Sequence, residues 1–419
     1  MPNESITPLS RRRFVEVASA GIAGTFLNSC SETPTETLSK LDKAYPLLTP
    51  ADEFYDVSRG TPTPHSLKGE ALINARLTPE AWRLEIVGDE TVDLPRFDKA
   101  TKLENAFTIE SGNAIDFSKL LEMEKTAGVK YIKALQCLNI AEPLGQGLWE
   151  GVLLRDVLRL CGKMENVRRI RYEGFHNDDP TQLFQSSVSY TEAMETAPGD
   201  LPVMLAFRLN GKPLSLERGG PVRMIVPWAH GFKSIKWLQR ITLTNNYQNN
   251  DTYALKNNHA DSLLKTAAYI DGGPKEIQSG KSITINGLVM SGVSGVERVE
   301  TWIRTIEGKD TTLRGHSPEL LAGDWNPATI QSPPNWITTL PEGIKPHDLL
   351  GFDSDSGKPT SWPMSYCTAA WSATYRDLSP GTYRIYARSV DKNGFAQPEP
   401  RPVWKSGDNM VKSHKVKVV

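Results

Sequence analysis

Apolar and polar positions alternate through Trp82-Arg83-Leu84-Glu85-Ile86-Val87-Gly88, the period-two pattern of a half-buried strand that ends in a turn. Leu154, Val157, Leu158 and Cys161 instead recur at helical spacing, with Gly162 placed to cap the end. Val203 to Leu209, Val222 to Val226 and Ile241 to Thr244 read as further strands. Mixed strands and helices to about residue 260 predict an α+β domain. The pattern changes near Gly272-Gly273-Pro274. Short alternating runs follow: Ser282 to Met290, Val296 to Arg304, and Thr382 to Val390. In the last, Tyr383, Ile385 and Ala387 share one face, and Arg384 and Arg388 share the other. No long helical pattern interrupts them, so this part reads as a small β-sandwich of immunoglobulin type. No internal repeat is visible.

One segment departs from simple periodicity. Leu135-Gln136-Cys137-Leu138-Asn139 is followed, twelve residues after the cysteine, by Trp149-Glu150-Gly151-Val152-Leu153-Leu154-Arg155-Asp156-Val157-Leu158. This places a thiol before a tight turn and a helix, with an aromatic residue at the turn. An isolated cysteine reads first as a small buried hydrophobe. A thiolate is also a soft, strongly donating ligand, which makes Cys137 a candidate for binding one metal. Cys161 falls on the apolar helix face and reads as core.

Composition narrows the classes. The chain has 419 residues, 39% hydrophobic and 23% charged, with a formal net charge of −1. That is a soluble globular balance with no general pull toward nucleic acid or an acidic surface. Four cysteines, Cys30, Cys137, Cys161 and Cys367, are too scattered for a disulfide framework or a CxxC zinc site. The seven histidines form no HExxH pair.

The N-terminus reads as a targeting segment. Ser10-Arg11-Arg12-Arg13-Phe14 resembles the twin-arginine export motif, and the apolar run from Val17 to Leu27 is too short to span a bilayer. That route carries folded proteins, commonly with a cofactor inserted, and so implies a cofactor enzyme of the periplasm or cell envelope. Leu27-Asn28-Ser29-Cys30 reads either as a lipobox, with Cys30 lipidated, or as ordinary signal cleavage. Residues 31–50 are rich in Ser, Thr, Glu, Lys and Pro and read as a flexible tether.

Taken in order, several segments resemble the sulfite oxidase superfamily of molybdopterin enzymes. The Leu-Gln-Cys segment with the Trp149 run is similar to its metal-ligand region. Leu205-Ala206-Phe207-Arg208-Leu209-Asn210-Gly211-Lys212-Pro213-Leu214 is similar to its Asn-Gly-x-Pro-Leu run. Gly219-Gly220-Pro221-Val222-Arg223-Met224-Ile225-Val226-Pro227-Trp228, then Gly231-Phe232-Lys233-Ser234-Ile235-Lys236-Trp237-Leu238, resembles the pterin-binding strand and loop. Ala387-Arg388-Ser389-Val390-Asp391 with Gly394, Gln397-Pro398 and Val403-Trp404 resembles its dimerisation domain.

The resemblance covers roughly residues 50 to 419. It implies a sulfite-oxidase-type molybdopterin domain over 51–265 and an immunoglobulin-like dimerisation domain over 266–419, after a signal segment (1–30) and tether (31–50). It further implies a molybdenum-molybdopterin cofactor ligated by Cys137. Arg223, Lys233, Ser234 and Lys236 are then the cofactor-binding residues, since a Gly-x-Lys-x-x-Lys loop between strands suits a phosphate. Tyr253, in Gln248-Asn249-Asn250-Asp251-Thr252-Tyr253, resembles the family's tyrosine near the metal; Tyr247 competes for that role. The implied reaction is oxygen-atom transfer, which belongs to the cofactor. No CxxCH haem motif occurs, so a separate carrier, such as a c-type cytochrome, is the expected electron partner, and a homodimer is the expected assembly.

The sequence also departs from the sulfite-oxidising pattern, whose arginines grip an oxyanion bidentately. Five residues after the cysteine stands Glu142 instead of arginine. Phe54-Tyr55-Asp56-Val57 stands where Phe-Tyr-x-Arg is expected, leaving Arg59 as the substitute if the backbone shifts. After Trp404 comes Lys405-Ser406-Gly407 in place of arginine, and the loop from Cys137 to Trp149 is shorter than usual. Arg59, Glu142 and Trp149 therefore define the expected substrate pocket. An altered anion pocket leaves three readings: a sulfite-oxidase-like enzyme for a small oxyanion, an S- or N-oxide reductase on the same cofactor, and a non-catalytic relative.

Overall fold

Both faces of one sheet are apolar, and that sheet organises the fold. The computed structural model of the chain describes residues 46–58, 63–91, 99–138, 140, 142–175, 183–250, 262–313, 317–398 and 409–419. The signal segment, Cys30, Arg59, Tyr253 and Trp404 lie outside these residues.

The organising sheet runs Gly128–Gln136, Pro143–Leu153, Met204–Leu209, with Lys212–Pro213 and Arg223–Ile225 also paired to the Met204–Leu209 strand. Every residue of Pro143–Leu153 is buried. Val152, Leu205, Phe207 and Met224 enter one core, and Trp149, Met204, Ala206 and Ile225 enter another. A strand covered on both sides needs no polar alternation, which is why periodicity did not reveal it. The expected turn at Trp149 is accordingly replaced by the middle of a strand; the helix after it, Leu154–Arg159, is present and buries Leu154, Val157 and Leu158. Cys161 is fully buried in the same core, and Gly162 adopts a positive φ at the helix end.

The first core is closed by a second sheet in the order Ile115–Asp116, Arg83–Gly88, Leu238–Thr244, Arg169–Gly174, Gln185–Ser189. Only the Arg83–Gly88 and Leu238–Thr244 pair is parallel. The Phe117–Ala127 helix begins at Asp116, whose side chain accepts from the Lys119 amide at 2.8 Å.

From Ala267 onward two sheets face each other. One runs Ala267–Gly272, Ile283–Met290, Thr368–Tyr375, Thr329–Ile330; the other runs Glu276–Ile277, Lys412–Val418, Gly381–Val390, Arg298–Thr305, Asn326–Pro327. Ile283, Ile285, Val289 and Trp371 from the first meet Val299, Ile385, Ala387 and Val416 from the second. Arg384 and Arg388 lie on the opposite face, paired with Asp310 and Glu300. Period-two alternation is thus explicit here.

The second core joins the two halves. Leu264, Ala267, Tyr269, Met290 and Tyr366 pack with Trp149, Met204 and Ile225. Gln146 ties the seam: its Oε1 accepts from the Thr368 amide at 2.5 Å, and its Nε2 donates to the Leu47 carbonyl at 3.0 Å. Thr49 donates its amide to the Gln146 carbonyl at 2.7 Å. Leu47 to Pro50, grouped with the tether by composition, therefore begin a strap across this sheet, continued by Phe54. Gly145, at φ +149°, accepts that ring: a Cβ there would stand 2.5 Å from Phe54.

Lys133 is fully buried in the same seam, donating to the Ala134 carbonyl at 2.9 Å. Burial pulls its pKa down to about 7, against an upward pull from Cys367 and with a further lowering from Arg223. Below pH 7 the lysine is charged in both folded and unfolded chains, and the burial penalty is fully present. Between 7 and the unfolded value of about 10.4 the folded chain releases its proton first, so stability rises with pH. Urea unfolding should show wild type gaining on the order of 2 kcal/mol from pH 7 to 9 relative to Lys133→Met, at about 1.4 kcal/mol per pH unit. Parallel pH profiles for the two proteins would contradict this placement of the charge.

Candidate active site

The Gly128–Gln136 strand delivers Cys137 at its C-terminal end, and a short turn returns the chain to Pro143. Cys137 is half-buried and lines an open cavity. Arg218, Arg223, Ser234 and Lys236 line the same cavity, with Phe54, Leu135, Leu144 and Phe232 among its apolar walls. A strand end, a strap, a strand and a loop, far apart in sequence, thus meet at one thiol.

Each cation has a defined setting. Arg223 is buried on the Arg223–Ile225 strand, donating to the carbonyls of Arg218 (2.8 Å) and Ser234 (2.5 Å), with its guanidinium 5.1 Å from the Trp149 ring centroid. Burial lowers its pKa to about 9, and Arg218 adds to the lowering. Arg218 donates to the Phe54 carbonyl at 2.8 Å and pairs with Glu217 at 2.5 Å. Lys236 donates to Asp56 at 2.6 Å and to Ser58 at 2.9 Å, while Ser58 also donates to Asp56 at 2.7 Å. Burial draws Lys236 down to about 8, and Asp56 opposes that. Desolvation raises the Asp56 carboxyl, but Lys236, Ser58 and Arg218 outweigh it and leave the pKa below the usual value. Gly219, at φ +97°, makes room for this lysine, since a Cβ there would meet its side chain at 2.8 Å.

The other expected residues fall as follows. Ser234 accepts from the Val226 amide through its hydroxyl at 3.0 Å and lines the cavity. Lys233 is buried beside the cavity and donates to the Ser187 carbonyl at 2.6 Å, so its ammonium holds the neighbouring sheet rather than forming the wall. Trp149 also lies outside the wall; it is fully buried beneath Arg223 and meets Phe54 edge to face at 6.1 Å. Glu142 is exposed and is not part of the cavity lining. Tyr247 is exposed at the surface, its carbonyl accepting from Arg169 at 2.7 Å. Arg218 was missed by sequence reasoning, although it stands directly before Gly219-Gly220-Pro221. Asp56, given no role by the sequence beyond the variable position before the missing arginine, is the counter-ion of Lys236.

The donor set fits an anionic, thiolate-ligated cofactor. Arg218 and Arg223 each keep a buried Nε–H with no hydrogen-bond acceptor, a cost that an anion in the cavity would relieve. Among the described residues no group of three or more His, Cys, Asp or Glu comes together. A metal at Cys137 would therefore draw other ligands from a cofactor, and Arg218, Arg223, Ser234 and Lys236 would hold that cofactor's phosphate.

Removing the internal anion should strengthen this site. Calorimetry of cofactor-free protein with inorganic phosphate at pH 6 should show Asp56→Asn binding at least about tenfold more tightly, since a charge about 5 Å away is worth roughly 3 kcal/mol at an effective dielectric of 20. In wild type the affinity should fall as pH rises through about 8, where Lys236 loses its proton. Equal affinities, or no pH dependence, would contradict the assignment.

Comparison with known proteins agrees with this geometry. Residues 72–252 match the oxidoreductase molybdopterin binding domain family. Mitochondrial sulfite oxidase of Rattus norvegicus is 30% identical over 202 residues, 46% of this chain and 35% of that protein. Nitrate reductase [NAD(P)H] of Betula pendula is 33% identical over 276 residues, 63% of this chain and 28% of that protein. The chain thus spans about a third of the length of these relatives. The crystal structure of the sulfane dehydrogenase SoxCD from Paracoccus pantotrophus aligns over 95% of this chain and 94% of that one, with a TM-score of 0.52 at 16% identity, a likeness of fold. The thiol and the cation cluster lie inside the matched segment, so residues 72–252 carry an oxidoreductase molybdopterin binding domain similar to that of sulfite oxidases and nitrate reductases.

Proposed function

We propose that this chain is an exported molybdopterin oxidoreductase that moves an oxygen atom to or from a small substrate and exchanges electrons with a separate carrier. The observation that carries the reading is the shared cavity of Cys137, Arg218, Arg223 and Lys236. The bound cofactor would supply two-electron oxygen-atom transfer. The protein's own work is positional. Cys137 offers one thiolate, the cations neutralise the cofactor phosphate, and the Phe54 strap with Leu135 and Leu144 keeps water from the thiol's inner side. The twin-arginine segment supports export, and the absence of CxxCH from these 419 residues supports an external electron carrier such as a c-type cytochrome.

The charge balance favours a substrate without net negative charge. Arg218, Arg223 and Lys236 meet two carboxylates, Asp56 and Glu217, which leaves one positive charge. A phosphate monoester carries about −1.5 to −2 at neutral pH and consumes that remainder. Among the described residues the cavity then holds no spare cation for a second anion, so the S- or N-oxide reading gains over the oxyanion one. In this reading the 266–419 sandwich, taken as immunoglobulin-like, carries a homodimer contact.

Two assays separate the readings: sulfite with an oxidised acceptor, and methionine sulfoxide with a reduced viologen. Turnover of the sulfoxide should exceed that of sulfite, and Cys137→Ser should abolish it; the reverse order would return the pocket to an oxyanion. Light scattering at micromolar concentration should report a dimer, and a strict monomer would remove that part of the reading.

A further inference from the structure

A metal-ligating thiol must point in one direction, and that direction is set by the two peptide planes flanking its Cα. Because each plane is rigid, pinning both fixes φ, ψ and the Cα–Cβ vector. Both planes at Cys137 are held by side chains, one from the loop that carries His230 and one from the adjacent Gln136. The plane before it carries the Gln136 carbonyl, which lies 3.3 Å from Nδ1 of His230. The plane after it carries the Cys137 carbonyl, which accepts from Nε2 of Gln136 at 3.0 Å. The same Nε2 donates to the Ile140 carbonyl at 2.6 Å, closing the turn.

These groups are poorly suited to packing alone. Gln136 and His230 are each 1% exposed, so their polar atoms are withdrawn from water. Oε1 of Gln136 is buried with no hydrogen-bond partner, which an apolar residue of the same shape would avoid. The amide is thus retained for its two donated bonds. A carbonyl can only accept, so the proton of this His230 contact resides on Nδ1. His230 is itself anchored, its amide donating to the Ser262 carbonyl at 3.0 Å, and a Cβ on neighbouring Gly231 would stand 3.3 Å from the Gln136 carbonyl. The turn of the cation loop and the turn of the thiol are therefore built against each other.

We propose that Gln136 and His230 are positioning residues that preorganise the Cys137 sulfur as a metal ligand. The proposal rests on reading Cys137 as that ligand. The atoms orienting a ligand commonly govern metal affinity about 10- to 100-fold.

The test uses the matured holoenzyme and four variants: Gln136→Leu, Gln136→Glu, His230→Leu and His230→Asn. Molybdenum per chain and the sulfur-to-metal charge-transfer band are measured, with circular dichroism to confirm folding. Gln136→Leu, Gln136→Glu and His230→Leu should retain the fold, lose metal affinity by roughly tenfold or more and shift the band. His230→Asn, whose amide nitrogen overlies Nδ1, should restore both. Where His230→Leu fails to fold, His230→Gln takes its place, because its amide reaches the Nε2 position and leaves the Gln136 carbonyl unpinned. Wild-type metal content and an unmoved band in the Gln136 variants would overturn the proposal alone. A wild-type protein that holds no molybdenum would overturn the reading of Cys137 as well.

Discussion

Burial of the Gly128–Leu153 hairpin on both faces is the constraint on which the rest depends. Tyr131, Leu135 and Trp149 pack into the seam with the sandwich, Ile132 and Leu148 pack against Trp336, Leu340 and Leu349, and Val152 reaches the core of the first domain. A hairpin held this way cannot slide, since a one-residue slip would send every side chain to the wrong core. Its turn is where Cys137 stands. The thiol is therefore fixed by a structure far larger than its own turn, and the seam charges for it through a buried lysine and a glutamine that binds three segments at once.

Electrostatics set the second layer. Three cations converge on a cavity with mostly apolar walls, and each is already engaged by a carboxylate, a carbonyl or an aromatic ring. Asp56 brings a carboxylate to this cluster from the strap. The strap thereby joins shape to charge: Phe54 fits against Gly145 while Asp56, two residues on, closes on Lys236. A substrate enters a site whose positive charge is nearly balanced beforehand.

Much of this was legible in the sequence, and the omissions have physical causes. The sandwich strands announced themselves through alternation, clearest in Ile283–Met290, where buried and half-buried positions alternate. The Pro143–Leu153 strand did not, because nothing in it meets solvent, and so Trp149 was placed at a turn. Lys236, Ser234 and Arg223, which line the cavity, stand in or beside a run of glycines and lysines that is visible in the sequence. Arg218 escaped because its role arises from a contact with the Phe54 carbonyl, more than a hundred residues away in sequence. Glu142 carried weight as a charge at a motif position, yet its side chain is exposed. Sequence spacing fixes neighbours along the chain; the direction of a side chain is settled by packing.

The most direct measurement is X-ray absorption at the molybdenum edge of the matured protein and of Cys137→Ser. The account predicts molybdenum in the wild type, with one sulfur scatterer fewer around the metal in the serine variant. An identical sulfur shell in the two proteins, or no molybdenum in the wild type, would contradict it.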